Sequence, residues 1–187
     1  LFNACVAGGY TAAEACRHYD TISICFSKGL GCPMGSILAG SAAEIAEARR
    51  SRKLFGGALR QAGIVAAAAV YALQNNIDRM AEDHANARSF AEALSEIDGI
   101  QIDPADVESN LVFFDIDPEI GDATQLASRA FELGLKVGAS GSYRLRACTH
   151  LDVDREQVLE AAAIIGRSVE AGVGDLVGSA TGPYSRG

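Results

Sequence analysis

Short apolar runs set between longer helical stretches predict an α/β fold for this chain of 187 residues. Two of the runs, Ile22-Ser23-Ile24-Cys25-Phe26 and Ser36-Ile37-Leu38-Ala39-Gly40, bracket a glycine-rich turn and read as neighbouring strands. A long helical region over residues 58–97 follows them. From Gly99 onward, strand and helix patterns alternate at short intervals, as in a small α/β domain.

Taken in order, residues 1–19 suggest a short helix, a turn at Gly8-Gly9 and a second helical piece. Ser41 with Glu44 three residues on has the capping-box spacing and opens a helix to about Leu54. Gly56-Gly57 breaks it. The region over 58–97 is interrupted near Gln74-Asn75-Asn76. Its first half is apolar nearly all round, as expected of a helix buried against a sheet or a partner subunit. Its second half carries Arg79, Glu82, Asp83, Arg88 and Glu92 on a solvent-facing side. Strands are predicted over 100–102, 111–116, 135–137 and 143–148, with a helix over 122–133. Asp154 caps a last helix over 155–170, with Val158, Leu159, Ala162 and Ile165 on one face. The tail from Gly172 is rich in Gly and Ser and is expected to be disordered.

The bulk numbers narrow the classes. A chain of this length can bury one sizeable core, or one domain and part of another. Its 49% hydrophobic and 21% charged residues are those of a soluble globular protein. The longest apolar run, over 64–73, is too short to cross a bilayer. A net charge of −8 argues against nucleic acid, and the one basic cluster (Arg49, Arg50, Arg52, Lys53) is diluted by Glu44 and Glu47. Five cysteines contain no Cys-x-x-Cys pair, so no metal site is expected; they read mostly as small core residues. Their odd number favours a reducing, cytoplasmic compartment. Cys32, near Lys28, is the thiol expected to be accessible.

Lys28 is one of three lysines and sits in the turn Ser27-Lys28-Gly29-Leu30-Gly31-Cys32-Pro33-Met34-Gly35. Glycines there leave room for a ligand to approach the backbone. Desolvation would hold the amine uncharged and able to attack a carbonyl. The plainer reading is a snorkelling lysine at a hairpin.

The segment from Asp20 to Ser36, which holds this turn, resembles the lysine segment of the threonine aldolase family. The resemblance continues through Arg49 to Gly63, with Gly56-Gly57-Ala58-Leu59-Arg60-Gln61 at its centre. It returns at Glu108-Ser109-Asn110-Leu111-Val112-Phe113-Phe114-Asp115 and at Arg146-Ala147-Cys148-Thr149-His150. The resemblance implies a fold-type-I enzyme that uses pyridoxal phosphate (PLP), related to aspartate aminotransferase. Residues 1–77 would be the latter part of the large PLP-binding domain. Residues 78–170 would be a connecting helix and the small C-terminal α/β domain, and 171–187 the tail. The chain opens at Leu1-Phe2-Asn3-Ala4 without a methionine. The family's aspartate for the pyridine nitrogen and its ring-stacking residue would lie upstream, so the chain is expected to be the later part of a longer polypeptide.

The resemblance also implies residue roles. Lys28 would be the Schiff-base lysine, and Ser27 would bond the cofactor phosphate or cap the turn. Arg60, at a helix start after Gly56-Gly57, and Lys53 before it would help bind the phosphate or substrate. A guanidinium near a helix N-terminus suits an anion. Arg144 and Arg146 alternate along a strand and share a face. The family's arginine precedes Thr149-His150 by the spacing that selects Arg146 for the substrate carboxylate, with Arg144 as the competing candidate. His150 is expected to make a structural hydrogen bond, and His18 and His84 to be solvated. Asp20 is too far from Lys28 to serve the pyridine, since the eight residue steps from one to the other span roughly 26 Å when extended.

The implied activity is that of an aldehyde-lyase, cleaving the Cα–Cβ bond of L-threonine or L-allo-threonine to glycine and acetaldehyde. A β-eliminating lyase or hydroxymethyltransferase of the same fold is the nearest alternative. A non-catalytic piece serving subunit association is the other. A homodimer or homotetramer is expected.

Overall fold

The computed structural model describes residues 1–172, so all but the first two residues of the tail expected over 171–187 lie outside it. The chain divides into two units, Leu1–Ala81 and Glu82–Gly187.

In the first unit, α1 (Phe2–Gly8) stops where Gly9 takes a left-handed conformation, φ 68°, and donates its N–H back to Cys5. A Thr11–Glu14 capping box opens α2 (Ala12–Cys16). Strands β1 (Thr21–Cys25) and β2 (Ser36–Gly40) form an antiparallel hairpin, with Cys25 opposite Ser36 and Thr21 opposite Gly40. The helix α3 (Ala42–Leu54) starts from the anticipated Ser41–Glu44 box. Then come α4 (Gly63–Asn75) and the start of α5 (Met80–Ser95). The core of this unit is small: Phe26, Leu30 and Cys32 from the hairpin turn pack with Ala69, Ala72 and Met80.

Three expectations change here. Helix does not begin near residue 58, because Gln61 sits at φ 55° and a left-handed residue cannot continue a helix. The apolar α4 buries only Ala69 and Ala72; Ile64, Val70, Tyr71 and Leu73 are exposed, so of the two covers expected, a sheet or a partner subunit, the sheet does not cover this face. Cys32 is buried rather than accessible, because its side chain points into the core beneath the turn.

In the second unit, β3 (Ile100–Gln101), β4 (Leu111–Ile116), β5 (Gly138–Ala139) and β6 (Arg144–Cys148) form an antiparallel sheet in the order β3-β4-β6-β5. Alternation sends Val112, Phe114, Ile116 and Leu145 inward, where they meet α6 (Ala123–Glu132) and α7 (Arg155–Glu170). Phe90 of α5 meets Phe114 edge-on, ring centroids 6.2 Å apart. Burying Phe114, Leu126, Leu145 and Ile165 stabilises this unit by about 2 kcal/mol per side chain. The outer face carries Leu111, Phe113 and Asp115 of β4 and their register partners Cys148, Arg146 and Arg144.

Again the structure corrects three points. The edge strand is Gly138–Ala139, not residues 135–137, because the Leu135 N–H closes the end of α6 on the Ala130 carbonyl. Asp83 is fully buried rather than solvent-facing; it precedes Ala87 and Phe90 at helical spacing and so shares their inward stripe. Leu159 is exposed, while Val158, Ala162 and Ile165 take the buried positions. No helix among the described residues is long and apolar enough to cross a membrane.

Candidate functional site

The turn between β1 and β2 is fastened from below. The Phe26 N–H donates to the Gly35 carbonyl at 2.9 Å, and the Cys32 N–H donates to the Phe26 carbonyl at 3.0 Å. Within it, the Gly31 N–H reaches the Lys28 carbonyl at 2.7 Å. Phe26, Leu30 and Cys32 anchor it in the core, and Asn76 Nδ2 donates to the Leu30 carbonyl at 2.8 Å. Gly35, at φ 118°, takes a conformation that L side chains rarely adopt. A Cβ on Gly29 would meet Asn3 Nδ2 at 2.7 Å. Backbone is held while the two polar side chains, Ser27 and Lys28, stay outside.

Lys28 is exposed, and its amine makes no hydrogen bond or ion pair among the described residues. The desolvation expected for it is therefore not supplied by the packing of this turn. Ser27 is also exposed, and its hydroxyl lies 3.2 Å from Cys25 Sγ. That contact, with the Ser27 backbone N–H and the charge of Lys28, pulls the Cys25 thiol below the ordinary cysteine range. Sequence reasoning passed over Cys25 because it reads as one more apolar strand residue. Its place opposite Ser36 is visible only from the register.

Lys53 occupies the last turn of α3, where a cation favours the helix dipole, and its carbonyl accepts from the Gly56 N–H at 3.2 Å. Arg60 is exposed in the connection before α4 rather than at the helix start; Ala62 is the N-cap and has no side-chain cap bond. Gln61 at φ 55° is the only non-glycine with positive φ among the described residues, and it directly follows Arg60.

Arg146 belongs to the second unit. Its neighbour Arg144 is committed: Nε donates to Asp115 Oδ1 at 2.9 Å and Nη2 to Oδ2 at 2.7 Å. Arg146 makes no side-chain hydrogen bond or ion pair among the described residues. Beyond the strand, Thr149 is buried and donates its hydroxyl to the Asp83 carbonyl at 2.6 Å. His150 makes the structural contact expected, its Nδ1 accepting from the Asp152 N–H at 3.3 Å. His18 accepts from Arg17 Nε at 2.9 Å. His84 is half-buried rather than solvated, and burial pushes its pKa down.

A family model described as beta-eliminating lyase matches residues 1–117. The low specificity L-threonine aldolase of Escherichia coli K12 is 42% identical over 163 residues, which is 87% of this chain and 47% of that protein. Low-specificity L-threonine aldolase 1 of Arabidopsis thaliana is 36% identical over 159 residues, 84% of this chain and 44% of that protein. The α/β architecture, part of a fold-type-I enzyme, is shared with a solved structure from Exiguobacterium sp. named for the aromatic amino acid beta-eliminating lyase/threonine aldolase group. That likeness has a TM-score of 0.71 and 25% identity, and covers 89% of this chain and 50% of that one. The chain thus spans about half the length of the curated relatives it matches. With its first 117 residues matched by the family model, the chain belongs to the beta-eliminating lyase family.

Proposed function

We propose that the chain serves a PLP-dependent aldehyde-lyase that cleaves the Cα–Cβ bond of L-threonine and L-allo-threonine to glycine and acetaldehyde. The observation that carries this reading is the free Lys28 amine on a glycine-rich turn whose backbone is tied to the core. The residues present fit the cofactor: a primary amine without an ion pair, an adjacent hydroxyl, and nearby backbone that lacks side chains at Gly29 and Gly31. Bound PLP supplies the electron sink for the pair left on Cα when the bond breaks.

Each residue then has one task. Lys28 would hold the cofactor through its Nζ. Ser27 offers its hydroxyl to the phosphate, and Arg60 and Lys53 supply positive charge for the phosphate or substrate. In the second unit, Arg146 grips the substrate α-carboxylate with two parallel N–H donors, a geometry lysine does not reproduce. Arg144 cannot serve without giving up Asp115.

Exposed Ile64, Val70, Tyr71 and Leu73 on α4 support association with a second copy, as a homodimer or homotetramer. The five cysteines are free, which supports a reducing, cytoplasmic setting.

The test is acetaldehyde release from L-threonine by the full chain with PLP, followed through alcohol dehydrogenase. Wild type should release it, and Lys28→Ala should lose about a thousandfold or more. Release of ammonia and a keto acid instead would support β-elimination, the reaction for which the family is named.

A further inference from the structure

The surroundings of Arg146 are lopsided. Its register partner on β4 is Phe113, 46% exposed, and its partner on β5 is Gly138. Partners in antiparallel strands point to the same face. In register, Arg146 therefore has an aromatic side chain opposite it on one flank and none opposite it on the other.

Nothing in the fold demands glycine at 138. Its φ is not in the left-handed region, and a Cβ there would meet only the Arg146 carbonyl oxygen, at 3.9 Å, an ordinary contact. The bare flank is thus the physical consequence of glycine at this position. The remaining groups on the face leave the guanidinium uncontested. Asp115 is bound by Arg144, and Leu111 is apolar.

We infer that Gly138 is a specificity-determining position: the α-carboxylate of a small amino acid reaches Arg146 along the flank Gly138 leaves open, with Phe113 closing the other side. This rests on the carboxylate reading of Arg146 given above.

The test uses the full chain with PLP carrying Gly138→Ala or Gly138→Val. The KM for L-threonine should rise in order of side-chain size, to about tenfold or more for valine, with kcat held within about twofold. L-Threonine should also stop shielding Arg146 from phenylglyoxal, read by peptide mass spectrometry. Should the valine variant not fold, the alanine variant carries the test, since its single methyl sits in ordinary contact. Unchanged KM and undiminished shielding overturn the proposal. Arg146→Lys separates the two levels. If it leaves KM unchanged, the reading of Arg146 falls and the proposal with it. If KM rises there but the Gly138 variants are silent, only the proposal falls.

Discussion

Arg144 and Asp115 face each other across β6 and β4 and close a two-bond fork, at 2.9 and 2.7 Å. The fork takes one of two candidate guanidiniums out of play and leaves Arg146, on the same face, without a partner among the described residues. Asp115→Asn should accordingly change the KM for L-threonine by less than about twofold, whereas Arg146→Lys should raise it about tenfold. Steady-state kinetics on the two variants decides this. Both should fold, because the fork is solvent-exposed and such pairs contribute little.

Two thiols should titrate in opposite directions. The Ser27 hydroxyl contact draws Cys25 down, and burial pushes Cys148 up. Iodoacetamide should label Cys25 at lower pH than Cys148, with each site followed by peptide mass spectrometry across a pH series. Ser27→Ala should move the Cys25 curve up and leave Cys148 alone. In stability, Cys148 works against folding as pH rises: its favourable contribution is present below its unfolded pKa and lost as pH climbs through the raised folded value. Cys25 has the reverse sign, contributing above its unfolded pKa and losing that contribution as pH falls through the lowered one.

The turn should be stable independently of the amine it presents. Leu30→Ala removes a side chain only 2% exposed and should cost about 2–4 kcal/mol in denaturant unfolding. Asn76→Ala removes the bond to the Leu30 carbonyl and should cost about 1 kcal/mol. Lys28→Ala, on the exposed side, should shift stability by no more than about 0.5 kcal/mol while abolishing activity.

Asp154 caps α7 through a reciprocal pair with Gln157, at 2.9 and 3.0 Å. Asp154→Ala should cost about 1 kcal/mol, measured by thermal unfolding.

What could be read from the chain, and what could not, divides by range. The start of α3 was legible because Ser41 and Glu44 satisfy each other over three residues. The start of α7 was legible from Asp154 for the same reason, and β4 because its alternation is local. Placing Lys28 on a turn between paired strands needed only two apolar runs and the glycines between them. Asp83 was misread because its burial depends on which stripe of α5 meets the core, and charge alone suggested the opposite. The engagement of Arg144 needed its cross-strand partner Asp115, and the place of Cys25 opposite Ser36 needed the hairpin register. Gln61 in a left-handed conformation leaves no compositional mark, so the start of α4 was placed too early.

The proposed activity needs the Lys28 nitrogen, and no other, to meet the cofactor. The full chain should be mixed with PLP, reduced with borohydride, digested and mapped by mass spectrometry. A pyridoxyl group on Lys28, absent in Lys28→Ala, is the predicted result. A label on Lys53 or Lys136 instead, or none on any lysine, would contradict it.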